Sequence, residues 1–102
     1  MFVGVALIEL FIPESSSLKT KRAVLRSVID GARHKFNASV SEVAHQDLWQ
    51  RADIGVACAA SSAAHCRNVL EEIERFIAAT SAGAAELTGS ERQVMSLQDM
   101  LP

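Results

Sequence analysis

Two hydrophobic rhythms alternate along this chain, and each change of rhythm marks a new element. From Phe2 to Ile12 almost every position is apolar: Phe2, Gly4, Ala6, Ile8, Leu10 and Ile12 alternate with Val3, Val5, Leu7, Glu9 and Phe11. Both sets call for cover, so the run predicts a central strand buried on both sides over much of its length. Pro13, which has no N–H for a ladder, ends it. From Leu18 the spacing becomes three and four: Leu18, Leu25, Val28, Ile29, Ala32 and Phe36 share one side of a helix roughly 28 Å long within Ser17 to Asn37. Ser15, Ser16 and Ser17 are candidate caps for its first turn, although no glutamate follows to complete a capping box. Gly31 costs this helix about 1 kcal/mol relative to alanine, and Asn37 is expected to close it in the left-handed conformation.

The rest of the chain repeats the scheme. Ala38 to His45 predicts a weaker strand, residues 46–51 a polar loop, and Ala52 to Ala60 a strand of small side chains. Ser61 or Ser62 caps a second helix with the stripe Cys66, Val69, Leu70, Ile73, Phe76, Ile77 and Thr80, stopped at Gly83. Glu86 to Leu97 reads as a charged edge strand and residues 98–102 as a short tail. The order β-α-β-β-α-β predicts a ferredoxin-like α+β domain over residues 1–97, a four-stranded antiparallel sheet with both helices on one face. The opposite face would then carry the second set of the first strand, too apolar to leave wet, and self-association through it is expected.

Composition adds one asymmetry. The chain of 102 residues carries a net charge of −2, but Lys19, Lys21, Arg22, Arg26, Arg33 and Lys35 stand against Asp30 alone in the first helix, a local +5. Residues 52–102 carry three cations and seven carboxylates, a local −4. An anionic partner is therefore suggested by local charge and hidden by the total. No apolar run has membrane-spanning length or the flanks of a cleaved leader. Two cysteines, Cys58 and Cys66, are too few for a disulfide framework, and a reducing cytoplasm is expected.

The strings Ser17-Leu18-Lys19, Lys21-Arg22, Phe36-Asn37, Ser39-Val40, Glu42-Val43 and Asp47-Leu48-Trp49-Gln50-Arg51-Ala52 resemble the bacterial YlxP-like family. The resemblance runs from Met1 to about Leu97 and is densest between Ser17 and Ala57. It implies a ferredoxin-like fold and no assigned activity. Genes of that family commonly neighbour translation-initiation and ribosome-maturation genes, which implies an RNA or ribosome connection by association.

Two candidate surfaces emerge. Ser15, Ser16 and Ser17 with Lys19, Lys21, Arg22, Arg26 and Arg33 could hold phosphates, since a helix N-terminus offers free N–H groups and the cations neutralise the anion. The alternative is a capped helix with a solvated basic face, and Glu14 favours it. Lys21 falls beside the apolar stripe and either snorkels or points to a partner. In the loop, Trp49 among Asp47, Gln50 and Arg51 could stack on a base while the arginine meets a phosphate. The preferred reading turns Trp49 back onto the sheet or into a neighbouring subunit, with Asp47 and Arg51 paired across the loop.

Several chemistries lack their residues. His45, Cys58, His65 and Cys66 match no zinc spacing, alternation sends Glu42 and His45 to opposite faces, and His34 lies on the outside of its helix. The third strand has no aromatic for an RRM-type surface, and the chain lacks four cysteines for an iron–sulfur cluster. Residues 13–17 have neither the cysteine pair of a metal carrier nor the arginine of an acylphosphatase-like loop. With no identifiable nucleophile or base, the expectation is a non-enzymatic RNA- or ribosome-associated module without cofactor or metal. The alternative is a homo-oligomeric module binding a protein or a small ligand.

Overall fold

A computed structural model describes every residue from Met1 to Pro102. The elements follow the order β1 (Phe2–Phe11), α1 (Leu18–Lys35), β2 (Ser39–Ala44), β3 (Arg51–Ala60), α2 (Ala63–Ser81), β4 (Glu86–Ser96) and a final turn α3 (Leu97–Met100). The strands form one antiparallel sheet in the order β2-β3-β1-β4. β1 is thus central, as its apolar run demands, and the two split crossovers place α1 and α2 on the same face.

Strand parity sorts the side chains. Ala6, Ile8, Leu10 and Ile12 turn toward the helices and are buried with Ile54, Val56 and Val40 from the neighbouring strands. The helices answer with Leu25, Val28, Ile29 and Ala32 from α1 and Cys66, Leu70, Ile73 and Ile77 from α2. Val3, Val5, Leu7, Glu9 and Phe11 face the other way, beside Arg51, Asp53, Gly55, Ala57 and Ala59 of β3. That open face is the one departure from the expected strand: within a single chain nothing covers it, and Val5 is 47% exposed.

Caps define the helix ends. Ser17 Oγ accepts the N–H of Thr20 at 3.1 Å and Ser62 Oγ accepts that of His65 at 3.1 Å. α2 stops before Gly83, whose φ of +88° suits a residue without Cβ. Asn37 does not take the left-handed form expected of it. α1 instead ends on Phe36 in extended conformation, and His45 is the non-glycine residue with positive φ, at 63°. Ser81, not Thr80, completes the buried stripe of α2, its hydroxyl donating to the Ile77 carbonyl at 2.7 Å.

Gly4 permits the closest approach of α2 to the sheet. A Cβ there would lie 2.5 Å from Cys66 Sγ and 2.9 Å from Leu70 Cδ1. Cys66 Sγ in turn sits 3.5 Å from Cys58 Sγ, and both thiols are free and buried. Burial, with the neighbouring Cys66 thiol, pushes the Cys58 pKa up to about 11, so the Cys58 thiol stays neutral at physiological pH. Gly4→Ala should overpack this contact and cost about 1–3 kcal/mol in chemical denaturation. Adding Cys66→Ala should recover part of that loss, giving a double mutant more stable than the summed single effects.

Candidate nucleic-acid interface

The basic helix divides its cations between structural and free roles. Lys21 is 1% exposed. Its ammonium donates to the carbonyl oxygens of His45 at 2.6 Å and Leu48 at 2.7 Å, and Glu42 Oε2 lies 2.9 Å away. That carboxylate oxygen is buried and accepts no hydrogen bond, so its contact with Nζ is electrostatic. A buried ammonium must be neutralised and hydrogen-bonded, and here one side chain on β2 and two loop carbonyls do both. Lys21 is therefore removed from the anion-binding set: it neither snorkels nor faces outward.

Arg33 is also engaged. Its Nε donates to the Val40 carbonyl at 2.8 Å and its guanidinium lies 3.9 Å from Asp30. The contact covers part of the free backbone edge of β2, where an arginine discourages strand pairing. Lys35 reaches over the rings of Phe36 and Phe76, at 5.6 and 5.2 Å from their centroids. Lys19, Arg22 and Arg26 remain exposed, and none takes part in a salt bridge of the chain. With Arg33 they lie within about 60° on the helical wheel. The Arg33–Val40 bond fixes the direction of that row: it overhangs the outer edge of the sheet at β2.

The serines split likewise. Ser15 is buried and its hydroxyl donates to the Ser17 carbonyl at 3.1 Å, while Ser17 Oγ is occupied as the cap. Ser16 alone of the three is exposed.

The loop between β2 and β3 is held from three sides. Lys21 binds the carbonyls of His45 and Leu48, and the His45 carbonyl also accepts the Leu48 N–H at 3.0 Å. Gln50 Nε2 donates to the Pro13 and Ser15 carbonyls at 3.0 and 3.4 Å, and the Ile12 N–H donates to the Gln50 carbonyl at 2.8 Å. His45 Nε2 lies 3.5 Å from Asp53 Oδ2 on the open face, whereas Glu42 lies across from the buried Ile54, so the two do point apart. Trp49 does not fold back onto the sheet: it is 54% exposed. Asp47 and Arg51 form no salt bridge, which leaves both charged ends free. Together Phe11, Asp47, Leu48, Trp49, Gln50 and Arg51 line an open cleft of about 580 Å³. Phe11 and Leu48 escaped the sequence reading. The alternation of β1 did place Phe11 on the open face beside Arg51, and that was the available signal.

The acidic half of the chain meets its own counter-ion on the helix side of β4, where Arg92 lies 3.1 Å from Glu74 and 3.9 Å from Glu71. Cys58 and Cys66 have no third ligand, and no cluster of three or more metal-ligating side chains occurs. No helix is long and apolar enough to cross a membrane.

Four antiparallel strands with two helices on one face define a ferredoxin-like α+β domain, and solved structures share this fold. A structure assigned to the chlorite dismutases superposes over 100% of this chain, at TM-score 0.60 and 10% identity; this chain spans 49% of that protein. A de novo designed protein with a ferredoxin fold matches 94% of this chain and 86% of its own, at TM-score 0.54 and 15% identity. The chain belongs to the family described as Protein of unknown function (DUF503), whose model matches residues 3–92. It is 40% identical over 75 residues to the uncharacterized protein YlxP of Bacillus subtilis (strain 168), covering 74% of this chain and 82% of that one.

Lys21→Met should cost about 3 kcal/mol in chemical denaturation, because it leaves the Glu42 carboxylate without its counter-charge and two carbonyls without their donor. The same variant should lower the fluorescence anisotropy of Trp49, the sole tryptophan, as the loop loosens.

Proposed function

We propose that this protein is a non-enzymatic RNA-binding module that meets the phosphate backbone with the exposed flank of α1 and shapes specificity with the loop after β2. The observation that carries the reading is the row Lys19, Arg22 and Arg26, exposed and unneutralised while the other three cations of α1 are occupied within the fold. Cations held in a row on a rigid helix suit a polyanion, whose charges are also arrayed in space. The loop belongs to the same end of α1, since Lys21, two residues after Lys19 and one before Arg22, clamps it. The gene neighbourhood implied by the family resemblance supports a ribosomal RNA as the polyanion, and two free, buried thiols suit a reducing cytoplasm.

Filter binding to a structured ribosomal RNA tests this. Three neutralised phosphates give a log–log salt slope near −3, or about 40-fold weaker binding for a fourfold rise in salt. The Lys19→Ala/Arg22→Ala/Arg26→Ala variant should bind weakly with a nearly flat slope. Equal retention of wild type and variant would remove the helix from the interface.

A second reading, self-association through the open sheet face, is favoured by Val5 at 47% exposure on the central strand and Val43 at 50% on the edge strand β2 of that face. Val43 stands over Gly55, where a Cβ would meet its Cγ1 at 2.7 Å, so it forms one wall of a trough floored by Gly55 and Ala57. Light scattering should give a dimer or larger species for wild type and a monomer for Val5→Glu, which would bury a carboxylate without a partner. Wild type that stays monomeric at high micromolar concentration would end this reading.

A further inference from the structure

We propose that the Trp49 cleft holds one unpaired guanosine of the RNA strand, an inference that rests on the RNA-binding reading and adds the base to it. The cleft combines an exposed indole with a rigid mounting. Trp49 is 54% exposed, yet the backbone on either side of it is fixed by the Lys21 ammonium at Leu48 and by Gln50 at Pro13 and Ser15. A wet tryptophan on a mobile loop would lose entropy on binding. One already immobilised presents its flat face at little further loss. Phe11 and Leu48 form apolar walls of the same cleft. A flat ring therefore suits the space, and base–indole stacking is a common way for single strands to be held.

The polar groups narrow the choice of base. Asp47 lines the cleft with a carboxylate that no cation of the chain neutralises. Gln50 has spent its NH₂ on two carbonyls, so the part of its amide left to a ligand is the acceptor oxygen. Asp47 and Gln50 thus offer acceptors, and a base edge that meets these two residues must be one of donors. Guanine presents two adjacent donors, N1–H and the 2-amino group, spaced for the two oxygens of one carboxylate. Adenine and cytosine present a single amino group there, and uracil a single N–H. These edges are free only when the base is unpaired. Arg51 also lines the cleft and supplies a cation, and Lys19 and Arg22 stand on the helix that clamps the loop, so the phosphates flanking the base meet positive charge.

Trp49 is the sole tryptophan and the chain has no tyrosine, so its emission reports directly on the cleft. The probes are an oligouridylate carrying one central guanosine, the all-uridine oligomer of equal length, the guanosine oligomer annealed to its complement, and free guanosine monophosphate. The single-stranded guanosine oligomer should quench Trp49 and bind roughly 5- to 150-fold tighter than the all-uridine strand, while its duplex should not quench. Asp47→Asn should erase the preference for guanosine, and Trp49→Ala should weaken the guanosine oligomer by a similar factor. Strands retained on filters with no quench and no guanosine preference would overturn this proposal while leaving the phosphate contacts of α1 intact. No retention of any strand would overturn both. Free guanosine monophosphate binding as tightly as the oligomer would overturn the assignment to a strand. A shift of Trp49 emission with protein concentration alone would show a second copy in the cleft and overturn it as well.

Discussion

The ammonium of Lys21 is the tie on which the corner formed by α1, β2 and the loop after it depends. It sits at a position where the periodicity of α1 asks for an apolar residue, and it is as buried as the leucines and isoleucines around it. Bringing one charge so far from water costs several kcal/mol unless the charge is matched. The match comes from three directions: Glu42 on β2, and the carbonyls of His45 and Leu48 from the loop beyond. His45 adopts a positive φ in this arrangement and lets its carbonyl serve both Lys21 and the Leu48 amide. One side chain thereby joins a helix, an edge strand and a loop that share little apolar contact. The loop is polar and could not fold onto a core by hydrophobic burial alone.

The same constraint settles what the charge asymmetry means. A local +5 in α1 suggests a broad basic surface, but half of those cations do structural work. Lys21 is inside, Arg33 holds the edge of β2, and Lys35 lies on two phenylalanine rings that meet edge to face at 5.7 Å. What remains is a shorter and better-defined row on one flank. On the other side of the molecule Arg92 performs the reverse task, meeting two glutamates of α2. Within α1 the free positive charge is thus confined to the flank beside β2, while Arg67 and Arg75 of α2 are also exposed and without a salt bridge.

Much of the fold was legible because burial direction is written in periodicity. The alternation of β1 and the three–four spacing of both helices record which side of each element meets the core, and the serine caps and Gly83 punctuate them. The free members of the basic row were legible for the same reason, since helical spacing groups Lys19, Arg22 and Arg26. Partners distant in sequence were not. Lys21 meets carbonyls 24 and 27 residues away, and no local pattern distinguishes a lysine that snorkels from one that finds a carboxylate on a strand not yet placed. Trp49 does not meet its own sheet, the first of the two burial sites that a general preference for burial offers it, the other being a neighbouring subunit. The loop's polar anchors, which hold it away from the sheet, are backbone carbonyls and leave no trace in residue type. Asn37 and His45 show the same limit: both types tolerate the left-handed conformation, and the tertiary contact of a carbonyl decided which of them adopts it.

Phe11 connects the two surfaces that the fold leaves available. It is the last member of the open-face row Val3, Val5, Leu7, Glu9 and Phe11, and it is also a wall of the Trp49 cleft. Its ring cannot serve both at once. A second copy covering the whole row would close the cleft, whereas one confined to Val3, Val5, Leu7 and Val43 would leave the cleft open. The second arrangement also sets two basic rows in one particle, and linked sites bind a long polyanion far more tightly than either does alone. The carboxylates Glu9 and Asp53, opposite each other across β1 and β3, mark the boundary between these regions. An apolar interface crossing that boundary would have to cover the Glu9 carboxylate, whereas Asp53 is already buried beside His45. An apolar contact between copies would therefore cost least at the end of the sheet away from the loop, where it would leave Phe11 to the cleft.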